Sequence, residues 1–179
     1  ICYAVDNHVR PYNFREFDIF FGAHSWGAGM DKPNAVWMPC AYDPTWHYEY
    51  EVDHLDGRAV DVCMIGSLYQ NRMAAINTLM FNGFSVTVGC GQVYYDSNEL
   101  YNSAKMALCT SICGDVACRV FENMAQGCVV LSDPLRDAEK LGLVDGEHYL
   151  VYHNEKELLE IAGKVKDDNL MRNRILTNA

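Results

Sequence analysis

From Val60 onward the chain alternates short, almost wholly apolar runs with longer amphipathic stretches. The apolar runs at 60–65, 85–88, 106–110, 128–132 and 148–152 are too short for helices and lack the polar alternation of half-exposed strands, so they read as buried β-strands. Between them, the patterns at 71–81, 98–104, 117–125 and 155–166 read as helices, separated by turn signals at Asn82-Gly83 and Asp133-Pro134. Nearly all-apolar strands joined by single helices are the mark of a parallel sheet covered on both faces. The expected fold class is therefore α/β, a Rossmann-like parallel sheet with helices on both faces. In such sheets ligands bind beyond the carboxyl ends of the strands, so those loops should carry any site.

Upstream the pattern is looser. The chain opens on the strand-like run Ile1-Cys2-Tyr3-Ala4-Val5-Asp6 without a preceding cap, as though it began inside a fold, and further short apolar runs follow at 18–22 and 35–38. A stretch rich in aromatic and acidic residues, 42–56, connects these to the regular part. The expected division is 1–57 as the end of one domain plus a linker, and 58–179 as the Rossmann-like domain. Trp37, Tyr42, Trp46, Tyr48 and Tyr50 are expected to pack the linker rather than to stack on a ligand.

Charge and cysteines narrow the chemistry. A net charge of -10 and a pI near 4.9 disfavour a dedicated reader of nucleic-acid backbones, which needs clustered Lys and Arg. Eight cysteines in a chain of 179 residues lie mostly among apolar runs and are not preceded by a signal peptide, so a reducing, cytoplasmic setting is expected. Cys63, Cys109 and Cys128 read as small buried hydrophobes. Cys109, Cys113 and Cys118 lack the spacing of zinc ligands and have no paired histidine behind them, so no metal site is expected. No apolar run approaches the roughly 20 residues of a membrane span.

The most informative segment is Arg119-Val120-Phe121-Glu122-Asn123-Met124-Ala125-Gln126-Gly127-Cys128-Val129-Val130, a helix running into a strand. Arg119 and Glu122 share a helix face near its start, where the helix dipole alone would favour a carboxylate. The segment resembles the E-x-x-A-x-G-x-x-V motif of the group 1 glycosyltransferases of GT-B fold. Four further stretches fall in the matching order. Asp61 to Arg72 is similar to the first strand and glycine loop of their donor domain, Tyr101 to Leu108 to the helix-to-strand step, and Gly146 to Tyr152 to the strand near the end. Trp37-Met38-Pro39-Cys40-Ala41-Tyr42-Asp43-Pro44-Thr45-Trp46-His47 resembles the P-x-A-x-D-P-x-x-H segment of the spore-maturation, CgeB-like branch.

The resemblance implies transfer of a sugar from a nucleotide diphosphate sugar, held by this C-terminal half, to an acceptor held by an N-terminal domain largely absent from the chain. The acceptor is open: a cell-surface glycan, a protein, or a modified base on phage DNA. Glu122 matches the glutamate that holds the ribose hydroxyls, a task for an ionised carboxylate. Arg72 falls near the basic residue that meets the donor diphosphate, where a guanidinium offsets leaving-group charge without a metal or other cofactor. Arg119, Gly66, Ser67, Gly114 and Asp115 complete the expected donor-binding set, the last two as loop formers. Asp43 and His47 are weak candidates for acid–base work at the cleft, and Asp6, His8 and His24 also lie in the upstream segment. In one place the sequence departs from the family. Where many relatives carry a glutamate eight residues before the one matching Glu122, this chain has Gly114, which keeps open an alternative, a non-catalytic GT-B-derived interaction or regulatory domain. A dehydrogenase-type dinucleotide binder is disfavoured because no G-x-G-x-x-G follows a strand. By itself the chain is expected to bind donor without transferring it, because catalysis needs both reactants held in register.

Overall fold

The computed structural model describes residues 1–10, 12, 16–50, 57–91 and 95–179. Two parallel sheets organise it. The smaller has three strands in sequence order, β1 (Cys2–Ala4), β2 (Phe20–Gly22) and β3 (Ala35–Trp37). The larger has five: β4 (Val60–Ile65), β5 (Val86–Gly89), β6 (Ala104–Leu108), β7 (Val129–Ser132) and β8 (Leu150–Val151), in the spatial order β5-β4-β6-β7-β8. Every pairing is parallel. Helices α1 (Gln70–Phe81), α2 (Tyr95–Asn102), α3 (Cys118–Ala125), α4 (Glu155–Asp167) and α5 (Asn169–Asn178) follow the strands of the larger sheet. The expected α/β, Rossmann-like class is observed. Among the described residues no helix is long and apolar enough to cross a membrane.

Burial on both faces explains why the strands are so apolar. Val62, Met64, Met106, Leu108, Val129 and Leu131 pack under α1, α4 and α5 with Leu79, Leu158, Val165 and Ile175. The opposite face holds Cys63, Ile65, Tyr101, Ala107 and Cys128 in one cluster and Cys109, Val120 and Val130 in another. Cys63, Cys109 and Cys128 are buried, and all eight cysteines are free thiols.

The structure differs from the sequence-based expectation at element ends. The second expected helix, at 98–104, begins earlier and stops at Asn102. Ala104 is instead the first residue of β6, paired with Val60, because burial inside the sheet outweighs its helix propensity. The tail, unassigned from sequence, forms α5. Asp168 caps its start by accepting from Met171 N at 2.9 Å, while the buried Arg172 donates to the carbonyl of Lys166 at 2.8 Å and so closes the end of α4. The expected final strand, 148–152, is reduced to Leu150–Val151.

One buried ion cluster makes stability depend on acid. Asp61, only 4% exposed, accepts from Lys166 Nζ at 2.8 Å, Ser85 N at 3.0 Å and Lys105 Nζ at 3.3 Å. Burial pushes its carboxyl up, but the Lys166, Ser85 and Lys105 hydrogen bonds outweigh this and hold it below the ordinary value. A depressed folded-state pKa adds stability above the unfolded value of about 3.9, and that stability is lost as pH falls through the folded value. Asp61→Asn is therefore expected to cost about 1–3 kcal/mol in urea unfolding at pH 7, with the difference from wild type shrinking below about pH 4. A constant difference across that range would refute the assignment.

Candidate functional site

The order of the larger sheet locates the site. From β4 the chain steps outward to β5, then returns to the other side of β4 with β6, so β4 and β6 flank a topological switch point. Loops leaving neighbouring strands in opposite directions open a crevice there. Its walls are the loop after β4, Gly66 to Tyr69, and the loop after β6, Cys109 to Ala117.

Arg72, in the first turn of α1, lies in this crevice and not on a solvated helix start: it is 9% exposed. Its Nε donates to the carbonyl of Thr110 at 2.9 Å and an Nη to that of Ser67 at 3.0 Å, while the guanidinium stacks 5.2 Å from the Tyr69 ring. Arg119 reaches in from α3. Gly66, at φ 142°, leaves it room: a Cβ there would lie 2.7 Å from a guanidinium nitrogen of Arg119. Arg72 and Arg119 line one depression together with Cys109, Thr110, Ser111, Asp115, Ala117 and Val120. Burial raises the Cys109 thiol to about 11, so it stays neutral.

The loop before α3 uses several of its amides internally. Ser111 N and Oγ both donate to Asp133 at 2.7 Å, Gly114 N donates to Ser111 Oγ at 2.8 Å, and Asp115 accepts from Ile112 N at 2.9 Å and Cys113 N at 3.4 Å. Asp115 is buried, yet the donors at Ile112 and Cys113 and the nearby His8 keep its carboxyl below the ordinary value. The start of α3 has no carboxylate cap: Ala117, at the cap position, offers no side-chain acceptor, and the first turn carries no acidic residue to offset the partial positive charge of the helix end.

Gly114 is built into this loop. It sits at φ 82°, its carbonyl accepts from Arg136 N at 2.9 Å, and a Cβ would lie 3.0 Å from Arg136 Cγ and 3.3 Å from the carbonyl oxygen of Pro134. Restoring the relatives' acid by Gly114→Glu is expected to destabilise the fold by about 1–3 kcal/mol, through the left-handed backbone and the crowding together. An unchanged melting temperature would show that the loop relaxes freely.

Glu122, one turn further along α3, is not among the residues lining that depression. Its Oε1 lies 3.8 Å from His47 Nε2, with both side chains largely buried. Asp43 does not join them. It is exposed, and its Oδ1 accepts from Thr45 N at 2.8 Å while its carbonyl accepts from His47 N at 2.9 Å, so it forms the turn that presents His47. At the head of α3, Cys118 receives a hydrogen bond from Cys40 that holds its thiol below the ordinary value. Of the linker aromatics, Trp46 lies edge-on to Tyr95 at 5.3 Å and Tyr48 is tilted against Tyr50 at 5.8 Å, while Tyr42 and Tyr48 are exposed.

The smaller sheet turns its own carboxyl-end loops toward the crevice. Asn7, fully buried after β1, donates to the carbonyl of His24 and accepts from His24 N, both at 3.0 Å, which fixes the loops after β1 and β2 to each other. Across the gap Ser25 donates to both oxygens of Asp137, N at 2.9 Å and Oγ at 2.5 Å, and Arg136 stacks 4.3 Å from the Trp26 ring. Burial and the neighbouring His8 lower the His24 imidazole below its ordinary value. Trp26, Arg136 and Asp137 were not singled out from the sequence, where they sit in loops without a motif.

The fold has counterparts among solved structures. A solved α1,3-fucosyltransferase aligns over 98% of this chain and 64% of its own, with TM-score 0.70 and 13% identity. A sucrose-phosphate synthase from Thermosynechococcus elongatus aligns over 90% and 52%, with TM-score 0.63 and 14% identity. Anabaena HepE, solved in complex with UDP and glucose, aligns over 90% and 56%, with TM-score 0.63 and 12% identity. The chain thus spans less than two thirds of the length of these structures. Likeness at such identities establishes the class by fold: the parallel α/β arrangement of the GT-B glycosyltransferases. The chain belongs to the family described as glycosyl transferase-like, whose model matches residues 52–179. No curated protein matches the sequence.

Proposed function

We propose that the chain is the nucleotide-sugar-binding half of a GT-B glycosyltransferase of the CgeB-like branch, with 58–179 holding the donor and 1–57 forming the end of an acceptor domain. The observation that carries this reading is the convergence of Arg72 and Arg119 on the switch point, beside the uncapped start of α3, in a chain of net charge -10. Two guanidinium groups and a helix N-terminus make a receptor for a diphosphate. They also offset the charge that grows on a leaving nucleoside diphosphate, a task that requires no metal.

Glu122 supplies the carboxylate for ribose hydroxyls, and His47, 3.8 Å away, orients it. Asp43 acts through the turn that holds His47. UDP appears with three fold relatives, S. aureus TarM, the pneumococcal O-GlcNAc transferase GtfA and Anabaena HepE, which makes it the first nucleotide to try. The non-catalytic alternative draws support from Gly114, whose left-handed backbone and crowded surroundings disfavour a glutamate.

Calorimetric titration of UDP, GDP, ADP and their sugar conjugates into the purified chain tests the proposal. One nucleotide class is expected to bind with micromolar to millimolar affinity, and Glu122→Ala to weaken it by about tenfold. Failure of every nucleotide to bind, or unchanged affinity in the variant, would remove the basis for a donor site. Donor turnover by a full-length enzyme would exclude the non-catalytic reading.

A further inference from the structure

The gap between the two sheets contains a cluster that shares only Asp115, a loop former, with the proposed donor site. His8, in the turn after β1, faces Cys113 and Asp115, in the loop after β6, with an imidazole nitrogen, Sγ and a carboxylate oxygen all within 4.8 Å of one another. Both ring nitrogens of His8 are buried and have no hydrogen-bond partner among the described residues. The adjoining His24 is 2% exposed with its Nδ1 likewise unpartnered, and its ring centre lies 4.2 Å from that of His8. Buried polar atoms are ordinarily satisfied, and each left bare costs about 1–3 kcal/mol. Three such nitrogens beside a thiol and a carboxylate therefore point to something that completes them.

We propose that His8, Cys113 and Asp115 bind a borderline-soft divalent cation, Zn2+ or a close analogue, which joins the loop after β1 to the loop after β6. The donor set fits that chemistry. One nitrogen, one sulfur and one oxygen ligand suit zinc, and a tetrahedral centre with bonds of about 2.0–2.3 Å sets its ligand atoms about 3.3–3.8 Å apart, a separation that small side-chain rotations reach from the present one. One oxygen of Asp115 is occupied by the Ile112 and Cys113 amides, which orients the carboxylate and leaves its other oxygen for the metal. On binding, the Cys113 thiol gives its proton to solvent and the thiolate takes the metal, with water filling the fourth position. Because its ligands come from loops of both sheets, the ion would fix the width of the gap between the sheets, beside the proposed diphosphate receptor. The spacing of the cysteines gave no hint of this, since the third ligand comes from the other sheet.

The site is read without any donor, so its outcome is separate from that of the proposed function. The chain, freed of metal by chelation, is titrated with Co2+ under reducing conditions while the near-ultraviolet thiolate-to-cobalt charge-transfer band is followed, and then with Zn2+ in competition. One equivalent of Co2+ is expected to bind with a thiolate band that Zn2+ displaces. Cys113→Ser is expected to abolish the band, and His8→Gln to raise the Kd more than about 100-fold, since losing an outer-shell partner alone costs 10–100-fold. Zn2+ is also expected to raise the melting temperature of wild type but not of His8→Gln, a readout that stands even if Cys113→Ser does not fold. Absence of a band in the wild type, or a band and melting shift that survive in His8→Gln, would overturn the proposal and leave binding at other thiols such as the exposed Cys90.

Discussion

Replacing Arg72 or Arg119 with alanine is expected to weaken nucleotide-sugar binding by about 10–100-fold each. A hydrogen bond to a charged group is worth about 1.5–3 kcal/mol, and each 1.4 kcal/mol is a factor of ten in affinity. The two variants should differ in a second readout. Arg72 also donates to the carbonyls of Thr110 and Ser67, so its removal leaves the buried Thr110 acceptor bare and should lower the melting temperature. Arg119 rests against Gly66, and its loss should be felt mainly by the ligand. Arg72→Lys keeps the charge but not the fork that spans two carbonyls, so it should recover part of the affinity and little of the stability. Raising the salt concentration should weaken wild-type binding more than that of either alanine variant, because fewer charges remain to be screened. Folded alanine variants that bind nucleotide as tightly as wild type would refute the diphosphate receptor.

The largest loss of stability is expected from Arg58→Ala. Its side chain is 1% exposed and lies where the linker enters the larger sheet. One Nη donates to the carbonyls of Ala104 at 2.7 Å and Tyr101 at 3.1 Å, the other to the carbonyl of Gln126 and to Glu49 Oε1, both at 3.0 Å. One guanidinium thus ties the end of α2, the start of β6, the end of α3 and the linker. Glu49 is nearly half exposed, so water screens that ion pair and the carbonyl bonds carry most of the effect. Truncation leaves buried acceptors unpaired and a cavity beside Cys128, at a cost of about 3–5 kcal/mol. At about 2–4 °C per kcal/mol for a domain of this size, the melting temperature should fall by roughly 6–20 °C in a calorimetric scan. A fall of under about 3 °C would mean that water replaces the guanidinium without loss.

Legibility followed the range of the interactions involved. The strands of the larger sheet could be placed from sequence because burial on both faces demands uninterrupted apolar runs, as in Val62, Cys63 and Met64. The segment around Glu122 could be found because helix packing and the turn at Gly127 are local requirements. The end of α2 was misplaced because Ala104 is apolar enough for either element, and only its pairing with Val60 decides. The tail helix was missed because its sequence, Asn169 to Asn178, is polar around most of its circumference, and its position depends on Ile175 and Arg172 reaching the core.

The site divides in the same way. By itself the sequence determined the α/β class, the resemblance to a sugar-transfer family and the positions of Glu122, Arg72 and Gly114, since each rests on residue type and short spacing. Only the tertiary structure decided that Arg72 is buried and already holds two carbonyls, that Glu122 lies against His47, and that His8 meets Cys113 and Asp115 across the two sheets. Those contacts join residues far apart in the chain, and the strand order that brings them together is a property of packing that no local pattern encodes.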